Sequence, residues 1–229
     1  TLPDSRFQPF VEYDRKFLLW WGLLLFSLKL GSRRQLDFEL RDMDTAVLDN
    51  VNRLAGTRQK SLPVHKTLAH FMDHVGSDAI ANLRTDCMRR LIRMKALDDY
   101  RLQGALVVAL DGTGYLTFHQ RHCPACLTRT HDGTTLYYHP VLEAKVVTTS
   151  GLALSLDSEF IHNTDASAVK QDGNYENNKQ DCELKAFVRM APKLKERFPQ
   201  TPLCITGDSL FGCGTAMQVC KNMGWSFIV

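Results

Sequence analysis

The chain has 229 residues, 44% of them hydrophobic, and carries 28 Lys+Arg against 25 Asp+Glu for a net charge of +3. Such a length can bury a full core, as one large domain or two small ones, and the balance describes an ordinary soluble protein rather than a strongly basic one. The small excess is N-terminal: residues 1–100 hold 16 Lys+Arg against 13 Asp+Glu, and residues 101–229 hold 12 against 12. It permits a polyanionic partner without demanding one.

The first strongly apolar run is Phe17 to Leu30, which contains Lys29 and falls short of the ~20 apolar residues a bilayer span needs. It reads as a buried helix with Trp20, Trp21 and Phe26 in the core, so no membrane partner is expected. Charged residues precede it (Glu12, Asp14, Arg15, Lys16) and no small-residue cleavage site follows, which argues against a secretory signal. Seven scattered cysteines, an odd number, suit a reducing cytosol better than a disulfide framework.

A mixed amphipathic stretch then runs to Leu54, and Gly56 to Lys60 reads as a loop. Val64 to Val75 is helical and Gly76 breaks it. Ser77 is a candidate N-cap for a further helix whose apolar residues Ile80, Leu83, Cys87, Leu91 and Met94 recur at steps of three and four. Arg84, Arg89, Arg90 and Arg93 lie off that stripe and are candidate DNA contacts. The outline is a helix-turn-helix, one that many helical hairpins share without binding DNA. His65, His70 and His74 fall at helical spacing with no metalloprotease pattern around them.

Near residue 100 the apolar period changes from 3.6 to 2, dividing a helical region (1–100) from a mixed one (101–229). Gly104 to Asp111, Thr134 to Thr149 and Leu152 to Phe160 read as strands, the last two joined by Ser150-Gly151. A polar loop, His162 to Gln180, leads to a helix from about Asp181 that Pro192 should kink or end. Leu203 to Thr206, a helix from about Gly214 to Met223, and Trp225 to Val229 complete the order β-β-β-α-β-α-β.

Two strands end in an aspartate beside a turn-forming residue: Asp111-Gly112 and Gly207-Asp208-Ser209. Carboxylates held at the ends of neighbouring buried strands can share hard divalent cations. Between the first two strands, at about 119–139, lies His119-Gln-Arg-His-Cys-Pro-Ala-Cys126, followed by His131 and His139. Cys123 and Cys126 have the C-x₂-C spacing of a zinc knuckle, and His131 and His139 are candidates to complete a tetrahedron, with His119 or His122 as substitutes. Unliganded surface cysteines and histidines are one rival reading and a thioredoxin-like redox pair another, although Leu127 to Gly133 reads as a turn rather than the helix such a pair opens.

The element order is that of the ribonuclease H-like fold, an α/β fold with a mixed sheet, here preceded by an all-helical region. Residues 100–229 also resemble the insertion-sequence transposases of the DDE class, through Val108-Ala-Leu-Asp-Gly-Thr113, Tyr137 to Lys145, Lys179-Gln-Asp-Cys-Glu-Leu184 and Gly207-Asp-Ser-Leu210. The resemblance implies DNA strand cleavage and joining by two-metal phosphoryl transfer, with Asp111 and Asp208 holding Mg²⁺ or Mn²⁺. Its implied partner is double-stranded DNA, as transposon ends and target, with a homodimer on DNA as one arrangement, in a cytoplasmic, nucleoid-associated setting. Families of this class place a third acid on a helix after the fifth strand, and this sequence reaches Val229 first. Glu183 and Glu196 lie on the earlier helix and do not match that position, so the expectation is a truncated transposase that is weak or inactive alone. The alternatives are a metal-dependent nuclease of the same fold and a noncatalytic zinc-binding nucleic-acid module.

Overall fold

The computed structural model describes residues 6, 9, 11–41, 44–163 and 181–229; most of the expected polar loop His162 to Gln180 lies outside them. The chain divides into two compact units, Thr1–Leu83 and Arg84–Val229.

The first unit is helical: α1 (Arg15–Ser27), α2 (Arg33–Arg41), α3 (Asp44–Ala55), α4 (His65–His74) and the opening turns of α5 (Ser77–Arg93). Asp14 starts α1 by accepting a 2.7 Å hydrogen bond from the Lys16 amide, satisfying one of the donors a helix N-terminus leaves open. Phe17, Leu18 and Trp21 of α1 are buried with Leu36, Val51, Leu68 and Phe71. Only one of the three expected core aromatics on α1 is interior: Trp20 is 37% and Phe26 69% exposed. Trp20 and Trp21 are adjacent, and one residue turns a helix by about 100°, so a narrow buried stripe cannot hold both. Helix α4 has no capping side chain of its own, and Asp37 of α2 supplies one from a distance. Its Oδ2 accepts from the His65 amide at 3.2 Å and contacts His65 Nδ1 at 2.9 Å.

Helix α5 begins at Ser77 itself, and its buried positions are Thr85 and Met88, with Leu91 and Ile92 partly buried. Ile80, Leu83, Cys87 and Met94 are exposed, so the buried face is rotated from the expected stripe.

The second unit holds one seven-stranded sheet. Its elements are β1 (Arg101–Leu102), β2 (Ala105–Phe118), β3 (Leu127–His131), β4 (Thr134–Val147), β5 (Ala153–Phe160), α6 (Glu183–Arg197), β6 (Leu203–Thr206), α7 (Gly214–Met223) and β7 (Ser226–Ile228). One edge of β4 pairs antiparallel with β2; the other pairs with β3 along its first half and β5 along its second. β2 pairs in parallel with β6, and β6 with β7. The sheet is therefore mixed, as expected, and compatible with a ribonuclease H-like arrangement.

Alternation along the strands buries Leu106, Val108 and Leu110 of β2 and Leu142, Ala144 and Val146 of β4, which join Phe187, Met190 and Leu194 of α6 in one core. Helix α6 runs through Pro192 without ending there. The segment Leu127 to Gly133, expected as a turn, is strand β3 plus a tight hairpin. Asp132 (φ 47°) and Gly133 (φ 73°) form its two-residue loop, the left-handed pair that matches strand twist. No helix among the described residues is long and apolar enough to cross a membrane.

Candidate active site

The parallel β2–β6 ladder positions the aspartates. It runs from Leu106↔Leu203 to Ala109↔Thr206, where β6 ends, so Asp111 and Asp208 each lie two residues past its last pair. Asp208 leaves the sheet: its Oδ1 accepts from the Leu210 amide at 3.0 Å and caps the short turn Ser209–Phe211. Gly207 before it has no room for a side chain, since a Cβ there would sit 2.7 Å from the Phe211 ring. Asp111 is placed differently from expectation. β2 does not stop at Asp111-Gly112 but continues to Phe118, because β4 keeps pairing with it. Asp111 thus marks the end of the parallel pairing, not the end of the strand.

A third carboxylate joins this pair. Glu183 is the first residue of α6, and its Oε1 lies 1.9 Å from where a Cβ on Gly112 would stand. Burial pushes the Glu183 carboxyl above the ordinary range, and the charges of Asp208 and Asp111 push it further. Glu183 lies on the helix before β6, which does not match the place after the fifth strand where the resemblance puts a third acid, and so it is not among the expected site residues. The signal lay in Gly112 beside Asp111, read as a turn glycine when it is a glycine of close approach. Glu143 of β4 stands directly opposite Asp111 in the antiparallel ladder, and its Oε2 accepts from the Ser155 hydroxyl at 3.0 Å. Like charges directly opposite on a sheet oppose its pairing.

The N-terminus of α6 is held from behind. Arg189 reaches back to Asp181 with two hydrogen bonds of 3.0 and 2.6 Å, and its Nε donates to Glu159 at 3.1 Å. Burial opposes ionisation of Asp181, but the Arg189 guanidinium and backbone donors outweigh it and hold the carboxyl below its ordinary value. Asp111, Asp208 and Glu183 offer carboxylate oxygens, the donor type that hard cations such as Mg²⁺ or Mn²⁺ take, and Glu183 feels the charge of both aspartates.

The Cys/His constellation is gathered only in part. Cys123, Cys126 and His139 have ligand atoms all within 4.8 Å of one another, the one such group of three among the described residues. The acids are spread more widely, as mutual repulsion favours. Burial opposes ionisation of Cys126, but backbone donors at Cys123 and His122, the Cys123 thiol and the Arg121 charge hold its pKa below the ordinary thiol value. His131 is not part of the group. It ends β3, is 84% exposed and pairs with Asp132 at 3.0 Å. At about 3.3 Å per strand residue, β3 carries it roughly 16 Å beyond Cys126, and the hairpin then returns His139 to the cysteines.

The four arginines of α5 do not form one face. Arg84 is drawn inward to Asp157 and Ser158, where Arg197 also donates to Asp157 at 2.6 Å. Arg89 donates to the Arg197 carbonyl at 3.0 Å, while Arg90 and Arg93 are exposed.

No protein-family model and no curated protein matches this chain. Among solved structures it aligns with the Mos1 strand transfer complex at TM-score 0.29 and 12% identity, over 99% of this chain and 61% of that one. It aligns with the Mos1 mariner paired end complex with Mn at 0.28 and 13%, over 99% and 62%. The chain spans about three fifths of the length of these solved chains. A superposition this loose carries no conclusion about this protein.

Proposed function

We propose that this chain carries out divalent-metal-dependent phosphoryl transfer on double-stranded DNA, cleaving and joining strands as an insertion-sequence transposase does. The observation that carries the reading is the β2–β6 register, which brings Asp111 and Asp208 together from positions 97 residues apart in sequence (208 − 111) beside the carboxylate of Glu183.

In this reading Asp111 and Asp208 hold the cations, with Glu183 as a third acid on the same site. Bound Mg²⁺ or Mn²⁺ would supply activation of the attacking oxygen and stabilisation of the leaving one in an in-line displacement. The residues of the chain position charge. The parallel ladder sets the spacing of the two aspartates, the Asp208 cap on Leu210 orients its carboxylate, and the Asp181–Arg189 pair anchors the helix that presents Glu183. Lys145, exposed on β4 and paired with Ala109 two residues before Asp111, lies on the same strand face as Glu143 and offers a phosphate contact.

A nuclease of the same fold is the second reading. It uses the same three acids, Asp111, Asp208 and Glu183, and differs only in omitting the joining step. A supercoiled plasmid nicking assay with Mg²⁺ or Mn²⁺ tests the first step. Asp111→Asn or Asp208→Asn should abolish nicking and leave duplex binding intact. Undiminished nicking in either variant would sink both readings, and nicking without joining of a labelled donor strand would select the nuclease.

A further inference from the structure

Cys123, Cys126 and His139 form a second site with different chemistry. The two sulfurs are 3.7 Å apart, and His139 Nε2 lies 3.3 Å from Cys123 Sγ and 3.2 Å from Cys126 Sγ. A tetrahedral zinc ion, with bonds of about 2.3 Å to sulfur and 2.0–2.1 Å to nitrogen, spaces two thiolates about 3.8 Å apart and a thiolate and imidazole about 3.6 Å apart. The observed triangle is within a few tenths of an ångström of that figure on every side. A disulfide needs about 2.0 Å, and both thiols are free.

The surroundings favour a metal clip over a redox pair. Cys126 is 1% exposed, its amide donates to the Cys123 carbonyl at 3.3 Å, and Asn163 braces the turn by bonding the Ala125 and Cys126 carbonyls. A redox pair opens a helix and has no need of an imidazole equidistant from both sulfurs; here strand β3 follows, and His139 comes from β4. Two of the other candidate histidines are engaged elsewhere: His131 is at the far end of β3, and the His122 ring stacks on Phe118 with centroids 4.7 Å apart.

The geometry points to one Zn²⁺ bound by Cys123, Cys126 and His139, with solvent in the fourth position, fastening the β2–β3 connection to β4. Thiolate and imidazole donors select zinc over the hard cations of the carboxylate site. The ion acts on order in the 119–139 segment, since this polar stretch contributes few apolar side chains to the core. The site is independent of the phosphoryl-transfer reading, so either can fail alone.

The test is Co²⁺ titration of the full chain after chelator stripping, read as thiolate-to-cobalt charge-transfer absorption, with zinc content of the untreated protein by elemental analysis. One equivalent per chain is expected, with Zn²⁺ displacing Co²⁺. Affinity should fall about tenfold or more in Cys123→Ser, Cys126→Ser and His139→Asn, a loss that removing even an outer partner of a metal ligand can reach. His119→Asn, His122→Asn and His131→Asn should keep wild-type affinity. Absence of the charge-transfer band in the wild-type chain, which needs no variant to fold, overturns the proposal. So does a loss in His131→Asn equal to that in His139→Asn, and a loss in His119→Asn or His122→Asn overturns the solvent position.

Discussion

The carboxylate of Glu183 occupies the space that a side chain at Gly112 would need, with Oε1 1.9 Å from the position of a β-carbon. Gly112 is therefore required for room, since its backbone is not in the left-handed region. Gly112→Ala should displace Glu183 while costing little stability, at or below the low end of the about 1–3 kcal/mol typical of overpacking, because only the tip of a flexible side chain must move. Urea denaturation alongside Mn²⁺ titration checks this. Unchanged Mn²⁺ affinity would separate Glu183 from the proposed cation site.

Glu183→Gln is expected to stabilise the metal-free protein and weaken its response to metal. The folded-state pKa of Glu183 is raised, so the ionised form is disfavoured by folding. That penalty is absent below the ordinary glutamate value and present once pH has risen through the folded-state value, so the gain from glutamine appears at neutral pH and vanishes in acid. The rise in Tm produced by saturating Mn²⁺ should be smaller in Glu183→Gln than in wild type. A variant that loses apo stability at pH 7 with an undiminished Mn²⁺ shift contradicts this.

Asp157, with a side chain only 3% exposed, accepts from both Arg84 and Arg197. Asp157→Ala leaves two partly buried guanidinium groups without their counter-charge and should cost about 3 kcal/mol or more. The urea midpoint reports it. A loss below about 1 kcal/mol would show the network to be as weak as a surface ion pair.

Asp181 sets an acid limb to stability. Its carboxyl is held below the ordinary value in the folded chain, so the stabilisation is complete above that value, fades as pH falls past it and is lost below the folded-state value. The stability difference between wild type and Asp181→Asn should be widest near neutrality and close below about pH 4. A difference that stays constant from neutrality into acid would rule out this linkage.

Local patterning was enough to read the helical first part and three of the long strands. Each rests on interactions within a few residues: caps, alternation, and turn chemistry at Ser150-Gly151. Where the chain was misread, distant contacts decided. Asp111-Gly112 looked like the end of a strand, yet β4 keeps the ladder going to Phe118. Met88 of α5 is interior because it joins the core of the second unit, a contact that no local pattern reveals. His131 and His139 are equally plausible partners for Cys123 and Cys126 by count, and only the β3–β4 hairpin separates them. Glu183 is 72 residues from Asp111 (183 − 111), and nothing local distinguishes it from any acid at a helix start. Sequence by itself determined which residues carry ligand chemistry, because that is a property of side chains. Tertiary structure alone decided which of them meet, because strand pairing and helix docking close the intervening chain, and only closure brings charges within range of one another.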